Sequence, residues 1–167
     1  ICNRVKVKKG DVFFIESGTM HAICKGILLA EVQQNSNTTY RIYDYGRLGK
    51  DGKPRELHVD KAADVTKLCP PSIPDSSKRE TEKFDNATRS KLTSCDLFTM
   101  YELSIDGDYS SVSDADSFVS LLCLEGSGEV KSGNESLTMK KGESLFIPAG
   151  KGVFTVSGKI KLLETRL

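Results

Sequence analysis

A single histidine on a glycine turn is the first residue whose setting indicates chemistry. His21 stands three residues after Gly18, and the apolar run Val12–Ile15 precedes the turn. A strand that leaves such a turn can aim an imidazole at a metal ion, because neutral imidazole is a common zinc ligand. A lone histidine on a β turn also suits an ordinary surface role. The residue alone therefore leaves both interpretations open.

Acidic, amide and basic side chains follow the histidine on and beside two short predicted strands. Period-2 alternation places Glu31 and Gln33 on one face of the first strand, and Arg41 lies on the second. Asp44 and Arg47 come directly after it. Such a set can accompany a metal site, and a solvated polar face is the alternative that the residues leave open.

Composition excludes several classes of partner. The chain has 167 residues, 38% of them hydrophobic, and a formal net charge of +1, so we expect neither a nucleic-acid nor a membrane partner. No apolar run approaches the length of about 18 residues that a membrane span needs. The five cysteines are scattered and never form a C-x-x-C pair, which argues against a disulfide framework and favours a reducing, cytoplasmic location.

The sequence reads as nearly all β. Short apolar or alternating runs are bounded by Gly, Asn, Asp or Ser, as in a sandwich or barrel. These predicted strands are Val12–Ile15, Ile27–Gln33, Thr39–Tyr43, Phe98–Leu103, Phe118–Leu124, Ser136–Met139, Ser144–Ile147, Val153–Val156 and Ile160–Leu163. One helix is predicted at Asp60–Lys67, with Asp60 as its cap. The segment between residues 69 and 95 is rich in Pro, Ser and charge, which predicts a long exposed crossing.

An internal repeat links the two ends of the chain. The segment "VKKGDVFFIESG" at residues 7–18 aligns without gaps with "MKKGESLFIPAG" at residues 139–150. One strand–turn–strand unit is therefore used twice. At the position of His21 the second copy has Val153, so the second copy lacks whatever function the histidine serves.

The repeated motif resembles a known superfamily. A Gly-Asp that opens a strand, followed by a glycine turn and a histidine, resembles the second sequence motif of the cupins. The run "GDVFFIESGTMHAICKGILLAEVQQNSNTTYRIYDYGR", with "GKPRELHVDKAADV" after it, resembles class I mannose-6-phosphate isomerases of the short bacterial type. The segment "GESLFIPAGKGVFTVSG" resembles their second, metal-free cupin.

The resemblance implies an all-β, cupin-type jelly roll in three parts. Residues 1–68 would be the second half of a first, catalytic cupin, and residues 69–92 a linker. Residues 93–167 would be a complete, metal-free second cupin.

The resemblance also implies an activity and roles for particular residues. These enzymes interconvert mannose 6-phosphate and fructose 6-phosphate through an enediol stabilised by zinc. His21 matches their last metal ligand and Arg41 their active-site arginine. Glu31 matches an acid of the same pocket, and Arg47 falls where longer members carry a phosphate-binding lysine. The resemblance assigns Gln33 and Asp44 equally to structure or function, and His58 to packing or the surface.

The remaining metal ligands of that family precede this segment, and His21 and His58 are the only histidines here. A catalytic zinc needs about three protein ligands and one open position. We therefore expect negligible isomerase activity and weak metal affinity for the chain alone, and self-association through an exposed half-barrel. The alternatives are a cupin that binds a sugar phosphate without turnover, and an inert structural module.

Overall fold

The computed structural model describes residues 3–69 and 78–167. The chain divides into two compact units, one formed by Ile1–Val12 with Pro74–Leu167 and the other by Phe13–Ile73. The elements are, in chain order, helix α1 (Val59–Val65) and strands β1 (Thr81–Phe84), β2 (Ala87–Ser94), β3 (Thr99–Ser113), β4 (Val119–Ser132), β5 (Glu135–Lys140), β6 (Ser144–Ile147) and β7 (Gly152–Arg166). Among the described residues, no helix has the length and apolar character that crossing a bilayer demands.

The strands form one antiparallel sheet in the first unit. Their order is β1-β2-β3-β7-β4-β5, and β6 also pairs with β4. Strand β7 is central, because β3 pairs with it from Thr99 opposite Arg166 to Ser113 opposite Gly152. On its other side β7 pairs with β4. The all-β prediction is confirmed, and β7 unites two runs that the sequence analysis separated.

Glycines allow the three longest strands to lie close together. Gly107 of β3 and Gly128 of β4 both face Gly158 of β7 in the ladder. A Cβ on Gly158 would lie 2.9 Å from the carbonyl oxygen of Ser127, closer than real Cβ atoms approach. The backbone of Gly158, with φ of +125°, also disfavours any other residue. The glycine between the two predicted runs therefore continues the strand instead of ending it.

Apolar side chains on one face of these strands form the core. Strands β3, β4 and β7 show the alternation of buried and exposed positions expected of a sheet with one covered face. The buried cluster contains Ala87, Leu103, Ile105, Tyr109, Val119, Leu121, Cys123, Val130, Met139, Ile147, Phe154, Val156, Ile160 and Leu162. Most of these positions lie inside strands that the apolar runs predicted.

The repeated sequence folds into the same turn at both places. The amide of Lys8 donates to Asp11 Oδ2 at 2.9 Å, and the amide of Lys140 donates to Glu143 Oε2 at 2.9 Å. The glycine inside each turn has φ of +89°. Asp11 and Glu143 therefore accept the same turn hydrogen bond in the two copies. The repeat is present in the structure as well as in the sequence.

The three strands predicted before residue 45 are wrong. Val12–Ile15, Ile27–Gln33 and Thr39–Tyr43 form no strand in the structure. A strand requires a ladder of hydrogen bonds with a neighbour, and in the described part of the second unit the only bridge joins Leu48 and Pro54. Apolar alternation without a pairing partner therefore gives irregular chain, and the assignment of residues 1–68 to half a cupin stays a prediction.

Two further predictions are corrected. The helix begins at Val59, and its N-cap is His58, so Asp60 lies in the first turn instead of capping it. The predicted linker at residues 69–92 is wrong over residues 81–92, which form β1 and most of β2. All four residues of β1 are exposed, so a polar composition suits an edge strand. Residues 70–77 of that segment lie outside the described residues.

Candidate functional site

The main polar cluster described in the second unit is a carboxylate with three arginine side chains near it. The side chain of Asp44 is only 9% exposed. Arg55 binds it with both arms of its guanidinium, through Nε to Oδ2 at 2.5 Å and through Nη2 to Oδ1. Arg47 Nε lies 3.6 Å and Arg41 Nε 3.9 Å from the same Oδ1. We call these four residues the arginine cluster; three cations and one anion leave it with an excess of positive charge.

A tight turn places Arg47 beside Asp44. The amide of Arg47 donates to the Asp44 carbonyl at 3.0 Å, and the two intervening residues both have positive φ, +54° at Tyr45 and +68° at Gly46. The guanidinium of Arg47 then lies over the Tyr45 ring, 5.5 Å from its centroid. Its side chain is 61% exposed, so Arg47 presents hydrogen-bond donors to solvent and can meet an incoming anion.

The electrostatics of the cluster keep Asp44 ionised. The hydrogen bond from Arg55 lowers the pKa of the Asp44 carboxyl, and burial opposes this effect. The positive charges of Arg55, Arg47 and Arg41 lower the pKa further. The carboxylate therefore stays charged at neutral pH and holds the guanidinium groups near one another.

Arg41 is held chiefly through its backbone. The amide of His58 donates to the Arg41 carbonyl at 2.7 Å, and the Arg41 amide donates to Nδ1 of His58 at 3.2 Å. The Arg41 side chain makes longer contacts, from Nη1 to the Glu56 carbonyl at 3.4 Å and from Nε to Asp44 Oδ1 at 3.9 Å. His58 thus has a definite contact with the candidate active-site arginine, beyond the packing or surface role that the sequence indicated.

Helix α1 runs from His58, whose amide and ring bind the Arg41 backbone, to the turn that precedes His21. At its start the amide of Ala62 donates to the carbonyl of His58 at 2.9 Å, and at its end the amide of Lys67 donates to the carbonyl of Gly18 at 2.9 Å. A helix of this length spans about 10 Å. A Cβ at Gly18 would lie 2.5 Å from the Val65 carbonyl oxygen, so only glycine allows this close approach.

His21 is exposed, and among the described residues its ring has one hydrogen-bond partner. Its Nδ1 lies 2.9 Å from the carbonyl oxygen of Thr19, a contact that requires a proton on Nδ1 and leaves the Nε2 lone pair available to a metal. Yet the described residues contain no group of three or more His, Cys, Asp or Glu side chains that could hold a metal ion. The residues present therefore do not fit a complete zinc site.

The structure brings together some of the predicted residues and leaves others apart. Arg41 and Arg47 meet at Asp44. In the part of the chain that the structure describes, no hydrogen bond or ion pair joins His21 or Glu31 to them. Glu31 and Gln33 are both exposed, and they share no face of a sheet because no strand forms there.

Arg55 belongs to no motif or strand pattern in the sequence, and it was not among the predicted site residues. The only available signal was the turn residues Asp51-Gly52, which fold the chain back so that the amide of Gly49 bonds the Lys53 carbonyl at 2.7 Å. That hairpin returns Arg55 to Asp44.

A second polar cluster lies in the sheet of the first unit. Glu164 of β7 is fully buried, and its Oε1 accepts hydrogen bonds from Arg89 Nη2 at 2.9 Å and from Arg166 Nε. The Arg89 guanidinium stacks 3.5 Å from the centroid of Tyr101. Within the described residues, Oε2 of Glu164 and Nε of Arg89 have no hydrogen-bond partner. No pattern in the sequence distinguished this glutamate from the exposed ones.

Solved structures place this architecture among known folds. Mannose 6-phosphate isomerase from Bacillus subtilis is similar with a TM-score of 0.69 and 32% identity, covering 79% of this chain and 41% of that one. KdgF from Halomonas sp. has a TM-score of 0.50 and 10% identity, covering 58% of this chain and 93% of that one, a likeness of fold alone. The family profile described as "Mannose-6-phosphate isomerase, cupin domain" matches residues 88–166, from β2 to β7. The sheet of the first unit is therefore a cupin jelly roll.

Curated sequences give the narrower assignment. Mannose-6-phosphate isomerase ManA of Bacillus subtilis (strain 168) is 38% identical over 167 residues, which is 100% of this chain and 52% of that protein. The mannose-6-phosphate isomerase of Streptococcus mutans is 34% identical, over 99% of this chain and 51% of that protein. The whole chain is therefore similar to part of these mannose-6-phosphate isomerases, and residues 88–166 match the cupin domain of that family. The chain spans about half the length of the curated relatives it matches.

Proposed function

We propose that this chain supplies the sugar-phosphate-binding arginines for the interconversion of mannose 6-phosphate and fructose 6-phosphate. The observation that carries the proposal is the arginine cluster, in which Asp44 holds Arg41 and Arg47 near one carboxylate oxygen. Guanidinium groups bind phosphate and enediolate oxygens through paired N–H donors. An excess of positive charge beside an exposed Arg47 suits an anionic sugar.

Each predicted site residue has a proposed part in the reaction. Moving a proton between C1 and C2 of the sugar places negative charge on an oxygen of the enediol, and Arg41 stabilises that charge. Arg47 binds the phosphate, and Glu31 accepts hydrogen bonds from sugar hydroxyl groups. Arg55 contacts no substrate in this scheme, and it keeps Asp44 in place.

Zinc enters the proposal only through His21. Nε2 of His21 can serve as one ligand, while a catalytic zinc site needs about two more protein ligands. The described residues do not provide them as a group. We therefore assign no step of the reaction to a metal.

The test combines an activity assay with an affinity measurement on the full chain. Fructose 6-phosphate formation is followed with and without added zinc, and mannose 6-phosphate binding is measured by calorimetry. Arg47→Met should weaken binding about tenfold or more, since it removes a charge-assisted contact worth about 1.5–3 kcal/mol. Arg4→Met is the matched control, because the exposed Arg4 lies outside the arginine cluster.

The outcomes separate the proposal from its alternative, binding without turnover. The absence of a complete group of metal ligands among the described residues favours that alternative for the chain alone. Binding without product formation would support it. Product formation would support the isomerase assignment, and failure to bind mannose 6-phosphate would contradict both.

We also propose that the chain self-associates. Large apolar side chains of the second unit are exposed, including Leu28 at 96% and Leu29 at 44%. Burying such surface against a second copy is favourable by about 25 cal/mol per Å². Light scattering across a concentration series checks this, and a constant monomer mass would contradict it.

A further inference from the structure

We infer that His58 is a positioning residue for Arg41, acting through its Nδ1 as the hydrogen-bond acceptor that fixes the Arg41 backbone. The inference rests on the proposed function, since it assigns a part in that site to a residue the family resemblance left without one.

His58 occupies both backbone polar groups of Arg41. Its amide donates to the Arg41 carbonyl at 2.7 Å, and its Nδ1 accepts from the Arg41 amide at 3.2 Å. Segment 39–43 forms no strand, so these two bonds replace the ladder that a sheet would have provided. An arginine on an otherwise irregular segment is thereby given a defined direction.

The side-chain contacts of Arg41 are too long to set that direction by themselves. They are 3.4 Å to the Glu56 carbonyl and 3.9 Å to Asp44 Oδ1, whereas strong hydrogen bonds of this type measure about 2.7–3.2 Å. The backbone hydrogen bonds to His58 fix the position of the Arg41 backbone, and this position limits the region that the guanidinium can reach.

The histidine is itself held in place. Its carbonyl accepts from Ala62, a buried residue in α1, and its ring lies 6.1 Å from the Tyr40 ring. The imidazole side chain is only 21% exposed. Since Nδ1 accepts a hydrogen bond, the neutral ring carries its proton on Nε2, which lies 3.7 Å from Glu56 Oε2. The ring therefore presents its lone pair to Arg41 in one defined tautomer.

The test compares three variants of His58 that differ in the position of the side-chain hydrogen-bond acceptor. In His58→Asn the side-chain amide oxygen can occupy the place of Nδ1, His58→Gln moves the acceptor to the position of Nε2, and His58→Leu removes it. All three keep the backbone amide bond to the Arg41 carbonyl. Each is measured for amide hydrogen exchange at Arg41 without ligand, and for mannose 6-phosphate affinity by calorimetry, with helix content checked by circular dichroism.

The expected result is a rescue pattern. His58→Leu and His58→Gln should speed exchange at the Arg41 amide and weaken binding by about twofold to tenfold, the loss of one neutral hydrogen bond. His58→Asn should remain close to the parent chain in both. Equal affinity in all variants, with the parent chain binding mannose 6-phosphate, would overturn the positioning role alone. A parent chain that does not bind would instead overturn the proposed function, and the inference with it.

Discussion

Replacing Glu164 by alanine is expected to destabilise the jelly roll more than any exposed ion-pair substitution. The carboxylate is fully buried and accepts from two guanidinium groups, Arg89 Nη2 and Arg166 Nε. Charge-assisted hydrogen bonds are worth about 1.5–3 kcal/mol each, and breaking a buried pair by removing one partner costs about 3–5 kcal/mol. The two bonds together give about 3–6 kcal/mol and the broken pair about 3–5 kcal/mol, so we expect a loss of unfolding free energy of about 3–5 kcal/mol.

Removing Glu164 leaves Arg89 with fewer hydrogen-bond partners than Arg166. Without Glu164, Arg166 retains the Val112 carbonyl at 2.7 Å and the Ser111 hydroxyl at 2.8 Å. In the part of the chain that the structure describes, Arg89 retains only the face of Tyr101 and a 3.7 Å contact to the exposed Glu82. Adding Arg89→Met to Glu164→Ala should therefore recover about 1–3 kcal/mol relative to the sum of the single variants, as residues in contact are not additive.

The assay is urea unfolding followed by far-UV circular dichroism, because the chain has no tryptophan. Amide exchange along β7 assigns the loss to the jelly roll. Glu102→Ala is the matched control, since Glu102 lies on neighbouring β3 with a 3.7 Å ion pair to Lys161 and should cost less than about 1 kcal/mol. A Glu164→Ala variant no less stable than Glu102→Ala would refute the reasoning.

Three further predictions concern the rest of the chain. Gly18→Ala should destabilise the second unit well beyond Gly26→Ala. Both glycines have positive φ, +88° and +81°, but of the two only Gly18 would bring a Cβ against a carbonyl oxygen, at 2.5 Å. Equal losses of unfolding free energy in urea would contradict this. Because the pKa of Asp44 is lowered in the folded chain, its stabilising contribution should be constant from pH 7 to about pH 5 and be lost as the pH falls below about 4. NMR titration of the carboxyl, with Asp44→Asn as control, checks this, and a midpoint above about 4 would contradict it. Burial raises the pKa of the Cys123 thiol, so Cys123 should resist a thiol reagent in the native chain while the exposed Cys24 reacts. Mass spectrometry of labelled peptides measures the extent of reaction at each cysteine, and equal labelling would show the prediction wrong.

The sequence predicts the jelly roll well because its strands find partners within the chain. The alternating run Phe118–Leu124 falls on the first half of β4, and Ser144–Ile147 coincides with β6. The repeated turn has the same hydrogen bond at both places. Alternation is sufficient there since a ladder completes each strand. The same pattern at Ile27–Gln33 gave no strand, because pairing is a property of the neighbour as well as of the segment.

The candidate site was only partly predictable for a similar reason. The family resemblance singled out Arg41 and Arg47, and in the structure both lie near one carboxylate oxygen of Asp44. Arg55 reaches that carboxylate only because a hairpin reverses the chain, and His58 contacts Arg41 only because α1 fixes it. Contacts between residues 11 and 17 positions apart depend on these tertiary connections, which no periodicity in the sequence reports.

Binding of a sugar phosphate by the arginine cluster is tested most directly by NMR of the arginine Nε–H groups during titration with mannose 6-phosphate. We expect saturable shifts at Arg41 and Arg47, smaller shifts with inorganic phosphate, and none with mannose, because the phosphate provides the charge that the arginine cluster binds. Unchanged Arg41 and Arg47 signals at saturating mannose 6-phosphate, or equal shifts with mannose, would contradict this expectation.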